Sequence, residues 1–411
     1  MNCDFNISEK RKMRKILAFT LTGIVFATSQ AFALPNRGAT GRANATEHKI
    51  SFSELGKEYS DWKNYLKNEH GFNYSVDVSF MPQYGSPSGK TTAWQTIVAP
   101  SFAWTNFDNE YGTGILNFAY NIVRYSGSQA EKIENNIGVV TPINDYDTKS
   151  TSFNELYYSY QLPNSWNWLT FALGQYSFYN FDGTTYNSNQ QINFINYSLS
   201  QNGSASYSIA GLGAYVQIMP NEEWNFAFGA QDASNIDGVS VRFNKLEDKH
   251  YATFVYGAYM PTITSVGQSE ISVMLYNQPW VKEQQQTTNG WSVNLSQNVG
   301  EKLSFFGRIN GVSGNMMDIK QSWVFGGVCN NPINRNSLDQ IGLAFAYNRI
   351  DEKAVGNKLS NKREKIIETY WTWGVSKWLA ITPDLQFYID PAQNAKSDYG
   401  TAVSLRATLF F

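Results

Sequence analysis

Cysteine and histidine are scarce in this 411-residue chain, and no apolar run reaches the length of a membrane-spanning helix. Such a helix needs ~20 consecutive apolar residues. Of the two cysteines, Cys3 falls in the amino-terminal leader described below, so Cys329 stands alone. Neither an intrachain disulfide nor a cysteine-rich metal site is expected. The three histidines, His48, His70 and His250, sit at neither metal-ligand nor triad spacing. His250 reads as a polar residue where a loop enters a strand rather than as a general base. No phosphate loop or dinucleotide fingerprint occurs, and no serine has a distinctive context. No catalytic residue, metal ligand or cofactor is therefore predicted.

Charge is also sparse, at 16% of residues. Residues 1–33 contain five of the 32 Lys and Arg and two of the 34 Asp and Glu, so the remainder carries 27 cations against 32 anions. That balance argues against a nucleic-acid partner.

What is present begins with an export leader. Lys10, Arg11, Lys12, Arg14 and Lys15 precede an apolar run from Ile16 to Ala27, and Ala31-Phe32-Ala33 has the small-x-small form of a cleavage site. The expected division is signal peptide 1–33, periplasmic segment 34–71 and barrel 72–411. Met13, followed by Arg14 and Lys15, is an alternative start.

Aromatics make up 15% of the chain while mean hydropathy is −0.39. A lipid-facing band alternating with a wet interior and polar loops produces that combination. The last ten residues show it directly: Val403, Leu405, Ala407, Leu409 and Phe411 alternate with Ser404, Arg406 and Thr408. A strand between lipid and water alternates in this way, and a terminal aromatic is the signal read by the bacterial barrel-assembly machinery. The expected fold is all-β, an antiparallel transmembrane barrel of about sixteen strands in a Gram-negative outer membrane.

A short amphipathic helix is expected first, with Ser51 and Glu54 at capping-box spacing and Leu55, Tyr59, Trp62 and Leu66 on one face. Strands are then predicted near 72–82, 92–104, 112–125, 152–162, 169–176, 207–218, 224–231 and 250–259. Eight more follow near 269–277, 290–298, 302–311, 319–328, 339–349, 366–376, 379–390 and 402–411. Counting back from Phe411 in the periplasm makes 376–378, 299–301 and 219–223 inner turns, and 126–151, 177–206 and 232–249 outer loops. The segment 329–338 is long for an inner turn and marks a place where a strand could be misassigned. Trp166, Trp168, Trp224, Trp373 and Trp378 gather near the periplasmic strand ends, as interfacial aromatics do.

Candidate function concentrates in the loop 177–206, which holds a single charge, Asp182, among aromatics and amides. Ring faces suit sugar C–H groups, and amides both donate to and accept from hydroxyls. Folded inward, the loop would narrow a pore, with Asp182, Asn193, Phe194 and Asn196 as constriction residues; left outside, it would be a surface cap. Glu155, Arg308, Glu368, Asp384 and Arg406 fall on the inward phase of their strands. They either line the passage or form salt bridges across a wet wall. Lys353, Lys358, Lys362, Arg363 and Lys365, in the outer segment 351–365, are expected to touch anionic headgroups of lipid or lipopolysaccharide.

Four segments resemble the carbohydrate-selective porins of Gram-negative outer membranes. They are Asp61 to Leu66 with Gly71-Phe72; Leu173 to Tyr176 through Asp182 with Phe194 to Asn196; Ala210 to Tyr215 through Trp224 to Ala233; and Ile367 to Tyr370 through Trp378 and Thr382 to Gln386, ending at Asp390-Pro391. The resemblance implies a sixteen-stranded channel passing mono- and oligosaccharides by facilitated diffusion, with neutral sugars as solute. Gln175 stands after Gly174 where that family usually has a cation. A general or anion-selective porin is the second reading, and a barrel lipid hydrolase the third.

Overall fold

The computed structural model describes residues 54–87, 91–356 and 359–411. The leader, Ser51 and Lys358 lie outside them. Helix α1 (Glu54–His70) precedes a continuous antiparallel wall. Its first eight strands are β1 (Phe72–Ser86), β2 (Thr92–Asn109), β3 (Gly112–Gly127), β4 (Ser150–Gln161), β5 (Leu169–Tyr176), β6 (Gly211–Asn221), β7 (Trp224–Asp232) and β8 (Tyr251–Tyr259). The rest are β9 (Gly267–Gln278), β10 (Thr288–Val299), β11 (Leu303–Val312), β12 (Ile319–Asn330), β13 (Gln340–Ile350), β14 (Arg363–Gly374), β15 (Leu379–Ile389) and β16 (Tyr399–Phe410). All sixteen sequence-predicted strands are present. A two-residue piece, Thr262–Ile263, additionally pairs with Gly267 and Gln268.

The wall closes by pairing β1 with β16, in the register Asp77 opposite Phe410 to Ser86 opposite Thr401. The terminal residue finishes the seam, since Phe411 N–H donates to Val76 O at 2.8 Å and Val76 N–H to Phe411 O at 3.0 Å. Closure leaves no strand edge with unpaired backbone in the hydrocarbon layer. Alternation then sorts the side chains. Along β14, Glu364, Ile366, Glu368, Tyr370 and Thr372 are buried inward, whereas Ile367, Thr369, Trp371 and Trp373 are exposed outward.

Inner turns are short except 331–339, which is a true turn between correctly placed strands. Asp339 organises it by accepting Gly374 N–H at 2.8 Å and pairing with Arg335, whose guanidinium lies 3.6 Å from the centre of the Trp373 ring. Helix α1 rests on the outward face of the periplasmic rim. The Tyr74 hydroxyl donates to Tyr59 at 3.0 Å, Trp62 meets the Tyr74 ring edge-on, and Tyr59 reaches Trp378 beyond the β1–β16 seam. Burial there pushes the Lys63 ammonium down to about 8, and its Nζ lies 4.8 Å from the Tyr74 ring centre.

Candidate solute pathway and its loop latch

The 177–206 loop folds into the barrel and crosses it from wall to wall. Near its start a single turn, Phe178–Phe181, inserts two rings into an aromatic cluster built from the inward faces of β4 to β9. Phe178 and Phe181 pack 4.7 and 4.4 Å from Phe254, and Phe181 meets Tyr215 edge-on at 5.3 Å. Six inward strand aromatics, Tyr157, Tyr176, Tyr215, Phe254, Tyr256 and Tyr276, would be out of place in a plain polar lumen. Here they form a core under the loop.

Asp182 follows and is buried. Its carboxylate accepts Ser292 Oγ and Asn202 Nδ2, each at 2.6 Å, Tyr207 OH at 3.0 Å and Asn294 Nδ2 at 3.4 Å. The charge expected at the constriction is thus a hub tying the loop to β10. Glu155, on β4, takes Asn180 Nδ2 at 2.5 Å and supports the same turn.

Further round the wall, from β11 beside β10 to β16, the inward charges hold backbone. Arg308 Nη1 donates to Asn187 O at 3.0 Å and Nη2 to Ser198 O at 2.9 Å and to Gln201 O. Arg406 donates to Asn193 O at 2.8 Å, Ile192 O at 3.1 Å and Gln190 O. Glu368 does the converse, accepting Ile195 N–H at 2.5 Å and Asn196 N–H at 2.9 Å. Two guanidinium forks take up carbonyls that the non-helical loop leaves over, and one carboxylate takes two amides, with charge-assisted bonds. These residues are therefore neither simple lining nor wall salt bridges.

The remaining candidates complete the far anchor. Phe194 is fully buried between Phe306 and Tyr370, at 5.4 and 4.8 Å. Asn193 Nδ2 closes the loop on itself at Thr185 O, 2.8 Å. Asn196 caps the turn α3 (Tyr197–Ser200) by accepting Ser198 N–H at 3.1 Å, and its Nδ2 reaches Tyr388 OH at 2.7 Å. Asp384, on β15, accepts Gln386 Nε2 at 3.4 Å. Asp182 and Glu155 thus belong to one anchor, and Asn193, Phe194, Asn196, Glu368 and Arg406 to the other.

A second inward loop escaped the sequence reading. Between β3 and β4, helix α2 (Ala130–Ile137) lies inside the barrel with Ala130, Ile133, Glu134 and Ile137 buried. Their helical spacing, ended by Gly138 with φ +81°, was the available signal. Glu364 latches this loop by accepting Val140 and Thr141 N–H groups at 3.1 and 2.8 Å, and ties it to the β15–β16 connection by accepting Ala392 N–H at 2.9 Å. The two loops also lock to each other. Tyr197 N–H donates to Pro142 O at 3.2 Å, Asp145 N–H to Gln190 Oε1 at 2.9 Å, and Ser200 Oγ to the Asp145 carboxylate. Desolvation between the loops pushes the Asp145 carboxyl up to about 8, against the lowering effect of the Ser200 bond. Burial likewise raises Glu134, with Asp147 nearby adding to it.

A closed sixteen-stranded barrel with loops latched into its lumen defines an outer-membrane porin, a channel and not an enzyme. Comparison with known proteins agrees. Residues 246–411 match the family model described as carbohydrate-selective porin, OprB family. Porin AaxA of Chlamydia pneumoniae is 38% identical over 345 residues, spanning 82% of this chain and 78% of that protein. Porin AaxA of Chlamydia abortus is 36% identical over 363 residues, spanning 86% and 80%. The high-pH structure of Pseudomonas putida OprB shares the fold, with a TM-score of 0.69 over 86% of this chain and 97% of that one, at 12% identity. The chain belongs to the OprB family of outer-membrane porins.

Proposed function

We propose that the channel passes small neutral hydroxylated solutes, mono- and oligosaccharides, by facilitated diffusion past the 177–206 loop. The observation that carries this reading is what the latch leaves over. The loop's one charge is spent on four donors, so the segment that crosses the lumen carries no unpaired ionic group of its own. The rest of the loop is made of amides, hydroxyls and rings, and amides both donate to and accept from sugar hydroxyls, which carry both functions and no charge. Binding of that kind is weak enough for the solute to leave. The description of the matching family model supports the same solute class.

One observation favours a second reading, passage of small organic cations. Inside the barrel Glu155, Asp182, Glu364, Glu368 and Asp384 are buried, against two buried cations, Arg308 and Arg406. An acidic excess of this kind attracts cations and disfavours an anion-selective pore. Planar-bilayer recording separates the readings. Glucose and maltooligosaccharides should reduce the ionic current in a concentration-dependent way. If they leave it unchanged while organic cations block, the second reading replaces the first.

A further inference from the structure

The extracellular rim carries a charge arrangement that the channel does not explain. Arg349 on β13 and Arg363 on β14 are directly opposed in the antiparallel register. Both are exposed on the outward face, while their neighbours Asn348 and Glu364 are buried inward. Directly opposed residues have Cβ atoms about 4.5–5.5 Å apart, and like charges placed so are destabilising. Nearby cations have acids of their own. Lys362 pairs with Glu352 and Lys365 with Asp390, each at 2.6 Å, and Lys320 with Asp351 at 3.1 Å. Among the described residues no carboxylate pairs with Arg349 or Arg363.

Depth in the membrane follows from the register. One outward row further in, Trp323, Tyr347 and Lys365 lie side by side; the next row is Phe325, Phe345, Ile367 and Phe387. Interfacial Trp and Tyr mark the boundary between acyl chains and headgroups, so the two arginines stand at headgroup height. Guanidinium forks match phosphate oxygens two by two, which an ammonium does not.

We propose that Arg349 and Arg363 together bind a phosphate of the phosphorylated glycolipid of the outer leaflet, the lipid A part of lipopolysaccharide. The phosphate neutralises the opposed guanidinium groups, and the acyl chains run down over Phe325 and Phe345. Gln321, opposite Arg349 on β12, offers an amide on the same row. The site lies on two strands and joins Arg363, one of the five basic residues that charge counting picked out in 351–365, to Arg349, which it did not.

The test uses the full-length porin purified in detergent and titrated with bisphosphorylated lipid A, with dephosphorylated lipid A and with inorganic phosphate. Wild type should bind lipid A at least about ten-fold more tightly than R349Q/R363Q, the loss expected when a bidentate charged contact is removed. Dephosphorylated lipid A should not distinguish the two proteins, and K353A/K362A should bind like wild type. Heat-modifiable mobility reports assembly. Should the double variant not assemble, R363K, which keeps charge without the fork, should still bind more weakly than wild type. Equal lipid A affinity in the assembled arginine variant overturns the proposal. So does displacement of lipid A by millimolar inorganic phosphate, which would make this a site for free phosphate.

Discussion

Glu368 holds Asn196. Its carboxylate accepts the Asn196 backbone N–H at 2.9 Å, joining the wall to a loop 172 residues away in sequence. With the Ile195 N–H on the other oxygen, one side chain secures the middle of the loop crossing. The two bonds fix where this part of the loop sits against the wall.

Replacing Glu368 by Ala should free the loop without opening the wall. Two buried amides lose their acceptor, at a cost of about 1–3 kcal/mol each. The wall ladder between β13, β14 and β15 is backbone only and is unaffected. Single-channel conductance should rise and sugar block should shorten, with heat-modifiable mobility unchanged. A conductance equal to wild type would show that the loop is held without Glu368.

Asp182→Ala should act differently from a change in a solute-facing residue. It removes the acceptor of four donors and leaves Tyr207, Ser292 and Asn202 unpaired in a closed environment. Destabilisation of about 2–4 kcal/mol is expected, since hydrogen bonds to charged groups contribute about 1.5–3 kcal/mol each and act jointly. Assembly should shift to lower temperature in a heat-modifiability series. Asn193→Ala, which loses a single bond to Thr185 O, should leave that series unchanged.

Acidification should tighten the contact between the loops. The Asp145 carboxyl is raised from 3.8 to about 8 by desolvation, so the docked loops keep a proton that an undocked Asp145 would release. Docking is then fully favoured near pH 4 and weakens as pH rises through the window to about 8. Conductance fluctuations should increase over that range in wild type. Asp145→Asn, uncharged at every pH and still able to accept from Ser200, should flatten the profile; an unchanged slope would assign the effect to another group.

Gly85→Val should displace α2. A Cβ at Gly85 would lie 2.4 Å from Ile133 Cγ2 and 2.7 Å from Ile137 Cδ1. Overpacking of this sort costs about 1–3 kcal/mol when neighbours must shift. Protease accessibility of 128–149 should rise in the intact barrel, and sugar affinity should fall through the contact between the two loops.

The wall was legible because lipid and water impose a two-residue period on every strand. All sixteen strands could be read, as could the inward phase of Glu155, Arg308, Glu368, Asp384 and Arg406. Their partners could not. Arg406 binds carbonyls of residues 190–193, and a backbone carbonyl looks the same at every position in a sequence. Helix α2 was missed for another reason: a stripe of three apolar residues and a glutamate within an outer loop is too short to outweigh the expectation that loops stay on the surface.

Local alternation and the aromatic at Phe411 therefore specified a barrel, its strand count and its orientation, because each depends on neighbours one or two residues apart. Whether the 177–206 loop entered the lumen, and what Asp182 and Glu368 bind, were decided only when closure brought distant strands together. Those contacts join residues separated by the circumference of the barrel or by whole hairpins, and no local pattern encodes them.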